Sequence, residues 1–183
     1  MDPLVAHQRA QDVFAGVLAA VTPQQMGAPT PCTEWTVGDL IGHVIGGNER
    51  VLLRAGLRSE PAACWPADLI EAHRATAAAA HQVFAAPDGM TIMFGLPIGP
   101  VPGSTFVWIR TVDALAHGWD LATSTGQSTD LDPELASYLL AESRRRATEA
   151  LRGPGKAFGD PQPCDEARPT ADQLAAFLGR QVS

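Results

Sequence analysis

The sequence predicts an all-α protein, most simply a bundle of four long helices with a short helical extension at its C-terminal end. Three observations lead there. Apolar residues recur at helical spacing along most of the chain. Alanine is dense and charge is sparse: 18 % of residues are charged, against about a quarter in an ordinary soluble domain. One stretch, between Pro87 and Gly103, interrupts an otherwise continuous succession of helices. At 183 residues the chain can bury one full core without staples and is short for two domains. Residues 1–183 are therefore expected to form a single domain.

The first amphipathic segment runs from Leu4 to about Val21 and is ended by Thr22-Pro23. A proline-rich connection follows, from Ala28 to Trp35. Thr36-Val37-Gly38-Asp39 has the spacing of a capping box, with Asp in place of the usual Glu, and starts a second helix. The apolar positions of that helix, Val37, Leu40, Ile41, Val44, Val51 and Leu52, carry it to about Leu57. A third, alanine-rich helix is expected from about Pro66 to Ala86, with Pro66 in the first turn, where a missing N–H costs nothing. Residues 87–103 read as a long loop with a short extended piece at Thr91-Ile92-Met93-Phe94, and unstructured loops of that length are often functional. A fourth helix covers roughly Ser104 to Thr125, with Gly126 placed to stop it. A fifth runs from Asp132-Pro133 to about Leu151. Gly153 to Pro169 is connection, and a terminal helix spans Thr170 to Leu178.

The formal charge is −7, and such a molecule repels phosphate backbones. The one basic run, Arg144-Arg145-Arg146, sits beside Glu142 and Glu149 and reads as a solvated helix face. Nucleic acid is not an expected partner. Cys32, Cys64 and Cys164 are odd in number, far apart and never arranged as C-x-x-C, a pattern suited to a reducing cytoplasm. Met1-Asp2-Pro3-Leu4 has no basic region followed by an apolar run, so no secretory signal is expected. No segment approaches the roughly 18 apolar residues of a membrane span.

Of the five histidines, His117 is the one read as having a carboxylate at helical spacing that could share a ligand. Asp113-Ala114-Leu115-Ala116-His117 is an i, i+4 pair, which puts a carboxylate and an imidazole on one helix face. His43, inside the second helix, is the natural third ligand from a facing element. Three protein ligands leave a coordination position open, the arrangement of a catalytic rather than a structural metal site. Periodicity also permits a plainer reading. The main apolar stripe of the fourth helix runs through Trp108, Val112, Leu115 and Trp119. Asp113 and His117 fall on the opposite side with Arg110 and Asp120, as His43 falls with Asp39 and Arg50. On that reading both groups face solvent. Phe106, Ile109 and Leu121 flank the polar sector, however, so the fourth helix is apolar nearly all round, as expected of an element with little exposure.

Residues 30–43, Thr30-Pro31-Cys32-Thr33-Glu34-Trp35-Thr36-Val37-Gly38-Asp39-Leu40-Ile41-Gly42-His43, resemble the T-P-C-x-x-W-x-V-x-D-L-x-x-H segment of actinobacterial DinB-like proteins. Asp113 to Ala122 resembles their second signature, D-x-x-x-H-x-W-D-L-A, and Asp172 to Arg180 is similar to their closing segment. The group includes the mycothiol-dependent maleylpyruvate isomerases. The resemblance implies a DinB-like four-helix bundle with one divalent metal held by His43, Asp113 and His117. It also implies chemistry on a low-molecular-weight thiol such as mycothiol. Two departures separate this chain from the isomerases. Their acidic ligand is glutamate where Asp113 stands here, and no counterpart of their C-terminal domain is expected.

Two imidazoles and a carboxylate make zinc the first expectation, with nickel and iron(II) as alternatives. A metal-dependent thiol transferase or isomerase, acting on a small thiol and an electrophile, is the enzymatic reading. A metal-binding bundle without catalysis, serving as a sensor, a stress protein or a partner-binding module, is the other. A bundle whose polar trio binds nothing is a third. No general base stands out beyond the ligands. Asp120, three residues after His117, is expected to face solvent rather than support the site. Cys32 is expected to be a packed loop residue about 10 Å from His43 along the helix axis. His73 and His81 read as surface residues, and Trp35, Trp108 and Trp119 as core or cleft lining. Met93 and Phe94 are the candidates for covering the site. The location is expected to be cytoplasmic, and nothing in the sequence fixes the oligomeric state, with which a homodimer is compatible.

Overall fold

The computed structural model describes residues 1–58, 60, 68–96, 99–146, 152–153 and 158–182. Among these it is mostly helical, with six α-helices and one small antiparallel hairpin. Helix α1 spans Pro3–Ala19; the Asp2 carboxylate caps it by accepting from the N–H groups of Leu4 and Val5. Helix α2, Val37–Arg54, begins with the expected box: Thr36 N–H donates to Asp39 Oδ2, and Asp39 N–H donates back to Thr36 Oγ1. These reciprocal bonds satisfy two donors that a helix start leaves open. Helix α3, Leu69–Ala85, is capped by Asp68. The expected start at Pro66 lies outside the described residues, as does Cys64.

The expected long loop is corrected in part. Strand β1, Met93–Leu96, pairs with β2, Gly99–Pro102, as an antiparallel hairpin in register from Met93↔Pro102 to Leu96↔Gly99. Its glycines and prolines read as loop, but alternate exposure leaves Phe94 pointing inward to pack on Phe84 and Phe106, with ring centroids 6.0 and 4.9 Å away. Helix α4, Gly103–Thr125, follows at once and stops at Gly126, whose φ of 71° is the left-handed conformation glycine takes without steric cost. Helices α5, Pro133–Arg146, and α6, Thr170–Phe177, complete the fold. The expected continuation of α5 to Leu151 falls on residues outside the described set.

Helix α1 packs on α3 and α4, while α2 packs on α3 and α4; α5 and α6 pair with each other, and α6 also reaches α4. The centre of the arrangement is α4. Its Trp108, Val112, Leu115 and Trp119 join α1, α5 and α6 in one apolar cluster. Leu121 joins Phe14, Leu40, Ile41 and Val44 in a second, and Phe106 and Val107 join Val51, Phe84 and Phe94 in a third. Each such side chain contributes roughly 1.5–3 kcal/mol when fully buried. Because α4 has apolar contacts on several sides, most of its polar sector is closed off from bulk solvent, with Asp113 staying partly exposed. Arg110, His117 and Asp120 are all buried, so the solvent-facing reading fails. No helix among the described residues is long and apolar enough to cross a membrane.

A polar seam crosses the interior. Gln11 and Asn48 exchange amide hydrogen bonds of 3.2 and 3.0 Å, and Gln11 Oε1 lies 3.0 Å from His73 Nε2. His7 stacks on His81 with centroids 5.7 Å apart. His73 is 1 % exposed and His81 is half-buried, which corrects the surface assignment of both. An alanine-rich helix lacks a clear apolar stripe, so periodicity could not tell its inner face from its outer one. Burial, with the nearby Arg110 cation adding to it, lowers His7 from 6.5 to about 3 and His73 from 6.5 to about 4.

Both histidines are thus neutral in the folded protein and charged in the unfolded chain below pH 6.5, so unfolding takes up protons. Stability is fully present above pH 6.5 and is lost as pH falls toward about 4 and then about 3. The expected slope is about 1.4 kcal/mol per pH unit for each histidine. Denaturant unfolding at stepped pH from 7 to 4.5 checks this. A His7→Leu variant should lose about half of the combined two-histidine slope; an unchanged slope would contradict the assignment.

Candidate metal centre

Two elements bring the expected trio together. His43 projects from the middle of α2, Asp113 and His117 from successive turns of α4. Asp113 Oδ1 lies 3.3 Å from His43 Nε2 and 3.6 Å from His117 Nε2. The two imidazoles stand edge to face, with centroids 4.9 Å apart at 73°. One ligand atom from each residue falls within 4.8 Å of the other two. A tetrahedral cation with bonds of about 2.0–2.2 Å to nitrogen and oxygen needs ligand atoms about 3.4 Å apart. The observed nitrogen-to-oxygen separations lie within about 0.2 Å of that requirement. The donor set fits such a cation. The side chains of His43 and Asp113 are 27 % and 22 % exposed and that of His117 is 8 % exposed, so the cluster opens to solvent on the α2 side.

Asp113 and His117 of the trio are each held from behind. Asp113 Oδ2 accepts from Arg110 Nη1 at 2.9 Å, and Arg110 Nη2 donates at 3.3 Å to both Val44 O and Asn48 Oδ1. Burial opposes the charge on Asp113, but Arg110 and the two imidazoles outweigh it and hold the carboxyl well below its usual range. His117 Nδ1 lies 2.9 Å from Asp120 Oδ2. A carboxylate only accepts, so this nitrogen carries hydrogen and Nε2 is turned toward Asp113 and His43. Burial likewise works against a charged His117, yet Asp113, Asp120 and Cys32 together raise it well above its ordinary value. Asp120, wholly buried, is lowered to about 2 by His117 and Arg180 despite that burial.

Several expectations are corrected here. Asp120 faces the site, not solvent. Cys32 is a neighbour of the centre: its sulfur is 4.0 Å from His117 Nδ1 and 3.5 Å from Asp120 Oδ2. The distance argument measured Cys32 from His43 along α2, whereas the connection folds across to α4. Met93 and Phe94 do not cover the site. Met93 is 58 % exposed and Phe94 belongs to the Phe84–Phe106 cluster. The covering ring is Trp35, 4.5 Å from His43 and 5.6 Å from His117 by centroids. Arg180 went unnoticed, although it lies in the closing segment of the resemblance. Its Nε and Nη2 donate to the two oxygens of Asp120 at 3.2 and 2.9 Å.

The fit depends on a close approach. A Cβ on Gly47 of α2 would overlap the Arg110 guanidinium. Gly47→Ala should therefore displace Arg110, leave Asp113 without its cation and destabilise the protein by about 1–3 kcal/mol, as overpacking does. Chemical denaturation of the two proteins checks this, and an unchanged midpoint would refute it.

Comparison with known proteins follows the same outline. The family model for the mycothiol maleylpyruvate isomerase N-terminal domain matches residues 7–122, a span that contains His43, Asp113 and His117 but neither Asp172 nor Arg180. Uncharacterized protein Rv0738 of Mycobacterium tuberculosis strain H37Rv is 59 % identical over 182 residues and covers 100 % of both chains. Uncharacterized protein Rv0036c of the same strain is 29 % identical over 149 residues, covering 68 % of this chain and 57 % of that protein. The first of these is thus similar along its whole length, the second over part of it. No solved structure matches the chain. The match over most of α1 to α4, joined to full-length similarity with a mycobacterial protein, shows that this chain belongs to the mycothiol maleylpyruvate isomerase N-terminal domain family.

Proposed function

We propose that the chain is a single DinB-like domain, its first four helices forming a four-helix bundle, in which His43, Asp113 and His117 hold one divalent metal for chemistry on a low-molecular-weight thiol. The observation that carries this reading is the convergence of two imidazole nitrogens and one carboxylate oxygen from α2 and α4 within 4.8 Å. Family membership supports a thiol of the mycothiol type as the small-molecule partner. Two nitrogens and one oxygen suit zinc first, and nickel(II) or iron(II) as well. A cation held there with a free position would lower the pKa of a bound thiol and supply a strong nucleophile near neutral pH.

The residues of the chain do the remaining work. Arg110 keeps Asp113 ionised and fixes its Oδ1 between the two imidazoles. Asp120 holds the His117 ring so that Nε2 faces inward. Trp35 lies against both imidazoles and excludes water from that side. The partly exposed edge of His43 and Asp113 is where a thiol and an electrophilic carbon would enter. The reaction is a thiol transfer or a thiol-assisted isomerisation in the cytoplasm.

Purified protein should carry stoichiometric divalent metal by elemental analysis, and His117→Ala should lose it. Asp120→Ala, which removes the support behind His117 together with the partner of Arg180, should weaken metal affinity by about 10–100-fold. Metal at the same level in His117→Ala would end the proposal. With metal in place, mycothiol and a panel of electrophiles should give metal-dependent adducts by mass spectrometry. Stoichiometric metal with no adduct from any thiol would instead favour the non-catalytic binding role.

A further inference from the structure

The imidazole of His117 has two nitrogens, and ligand groups surround both. On the edge away from His43 and Asp113, Nδ1 lies 2.9 Å from Asp120 Oδ2 and 4.0 Å from the Cys32 sulfur, which is 3.5 Å from the same carboxylate oxygen. We propose that Cys32, His117 Nδ1 and Asp120 form a second cation site, suited to a thiophilic divalent cation. This inference does not require the first site to be filled.

Geometry supports it directly. A tetrahedral ion with bonds of about 2.3 Å to sulfur and about 2.1 Å to nitrogen and oxygen needs sulfur about 3.6 Å from each of the other atoms, and nitrogen about 3.4 Å from oxygen. The three separations depart from these values by about 0.5 Å at most, so a small shift of the Cys32 loop and the ring would seat an ion. Sulfur distinguishes this set from the first one. A thiolate favours zinc, copper(I) and their heavier relatives, while the imidazole–carboxylate trio offers no sulfur.

Arg180 donates to both oxygens of Asp120, a carboxylate that is 0 % exposed. A dication at Oδ2 would take the place of the Arg180 Nη2 hydrogen bond, leaving Nε on Oδ1, and its charge would be met by the Cys32 thiolate, with Asp113 across the ring. Starting from the ring protonated on both nitrogens, binding displaces the thiol proton and the Nδ1 proton to solvent and leaves Nε2 protonated. The sulfur and Nδ1 lone pairs go to the cation. A neutral imidazole has only one lone pair on its ring nitrogens. With Nε2 protonated, His117 no longer serves the first site, and the two positions compete for one side chain.

Cadmium is the probe. Reduced, metal-free, full-length protein titrated with Cd²⁺ should develop a thiolate-to-cadmium charge-transfer band in the ultraviolet. The band should persist in His43→Ala and in Cys164→Ser and be lost in Cys32→Ser, with circular dichroism confirming that each variant is folded. Independently, Cd²⁺ should slow alkylation of Cys32 by iodoacetamide in the wild-type protein, read by peptide mass spectrometry. A band that survives Cys32→Ser, a band lost in His43→Ala, or Cys32 alkylated as fast with cadmium as without it would each overturn the proposal. The first site is judged separately, by whether Cys32→Ser keeps stoichiometric zinc and the His43→Ala, Cys32→Ser double variant loses it.

Discussion

The carboxylate of Asp113 is the group around which the interior is organised. It sits on a helix enclosed by apolar clusters, and an unpaired charge there would cost several kcal/mol in lost hydration. The structure divides its two oxygens. Oδ2 takes the Arg110 guanidinium, and Oδ1 stands between the imidazoles of His43 and His117. Arg110 in turn needs room and acceptors, which α2 provides through the missing side chain of Gly47, the carbonyl of Val44 and the amide of Asn48. The spacing of α2 against α4 is thereby set by the Arg110 guanidinium seated on α2 as well as by Ile41, Val44 and Leu121. The same spacing brings His43 to within reach of a shared ligand position.

A second buried carboxylate is handled by the C-terminal segment. Asp120 is held by Arg180 on both oxygens, and at the preceding position the Trp119 indole N–H donates to Asp172 Oδ1 at 2.7 Å. These two contacts come from residues beyond the stretch that matches the family model. They fasten α6 and the residues after it onto α4, beside His117. Breaking such a buried pair by removing one partner typically costs about 3–5 kcal/mol, because the other charge is left uncompensated. The segment is thus part of what orients His117, through Asp120.

Helix boundaries were legible because they rest on local chemistry. The Thr36–Asp39 box, Gly126 and the Pro133 start are effects of backbone satisfaction within a turn, and the structure places them where the pattern does. The candidate trio was legible in part: i, i+4 spacing gives the Asp113–His117 pair, while His43 follows from its place inside a facing helix and from the family pattern. What the sequence could not show was which side of α4 is covered. A helical wheel assigns the polar sector to solvent when one apolar stripe dominates, yet α4 carries apolar residues on several flanks and is packed on all of them. Contacts between distant segments were equally hidden. Cys32 and His117 are 85 residues apart, and no periodicity links a proline-rich connection to the middle of a later helix. The hairpin was missed because Gly and Pro dominate it and only Phe94 is driven inward.

The histidines that are not ligands follow from the same pair that organises the site. The Arg110 charge faces Asp113 on one side and the Gln11–Asn48 amides on the other, and beyond those amides lie His73 and His7. A neutral amide relay passes polarity inward without passing charge, so the cation is balanced at the site and only its field reaches the far histidines. That field adds to burial in keeping His7 and His73 neutral. His117 lies on the carboxylate side of the same guanidinium and shifts the other way, toward the charged form. Opposite behaviour of chemically identical rings within one interior therefore needs no separate explanation for each. It is set by whether a ring meets the carboxylates of α4 or the arginine that balances Asp113.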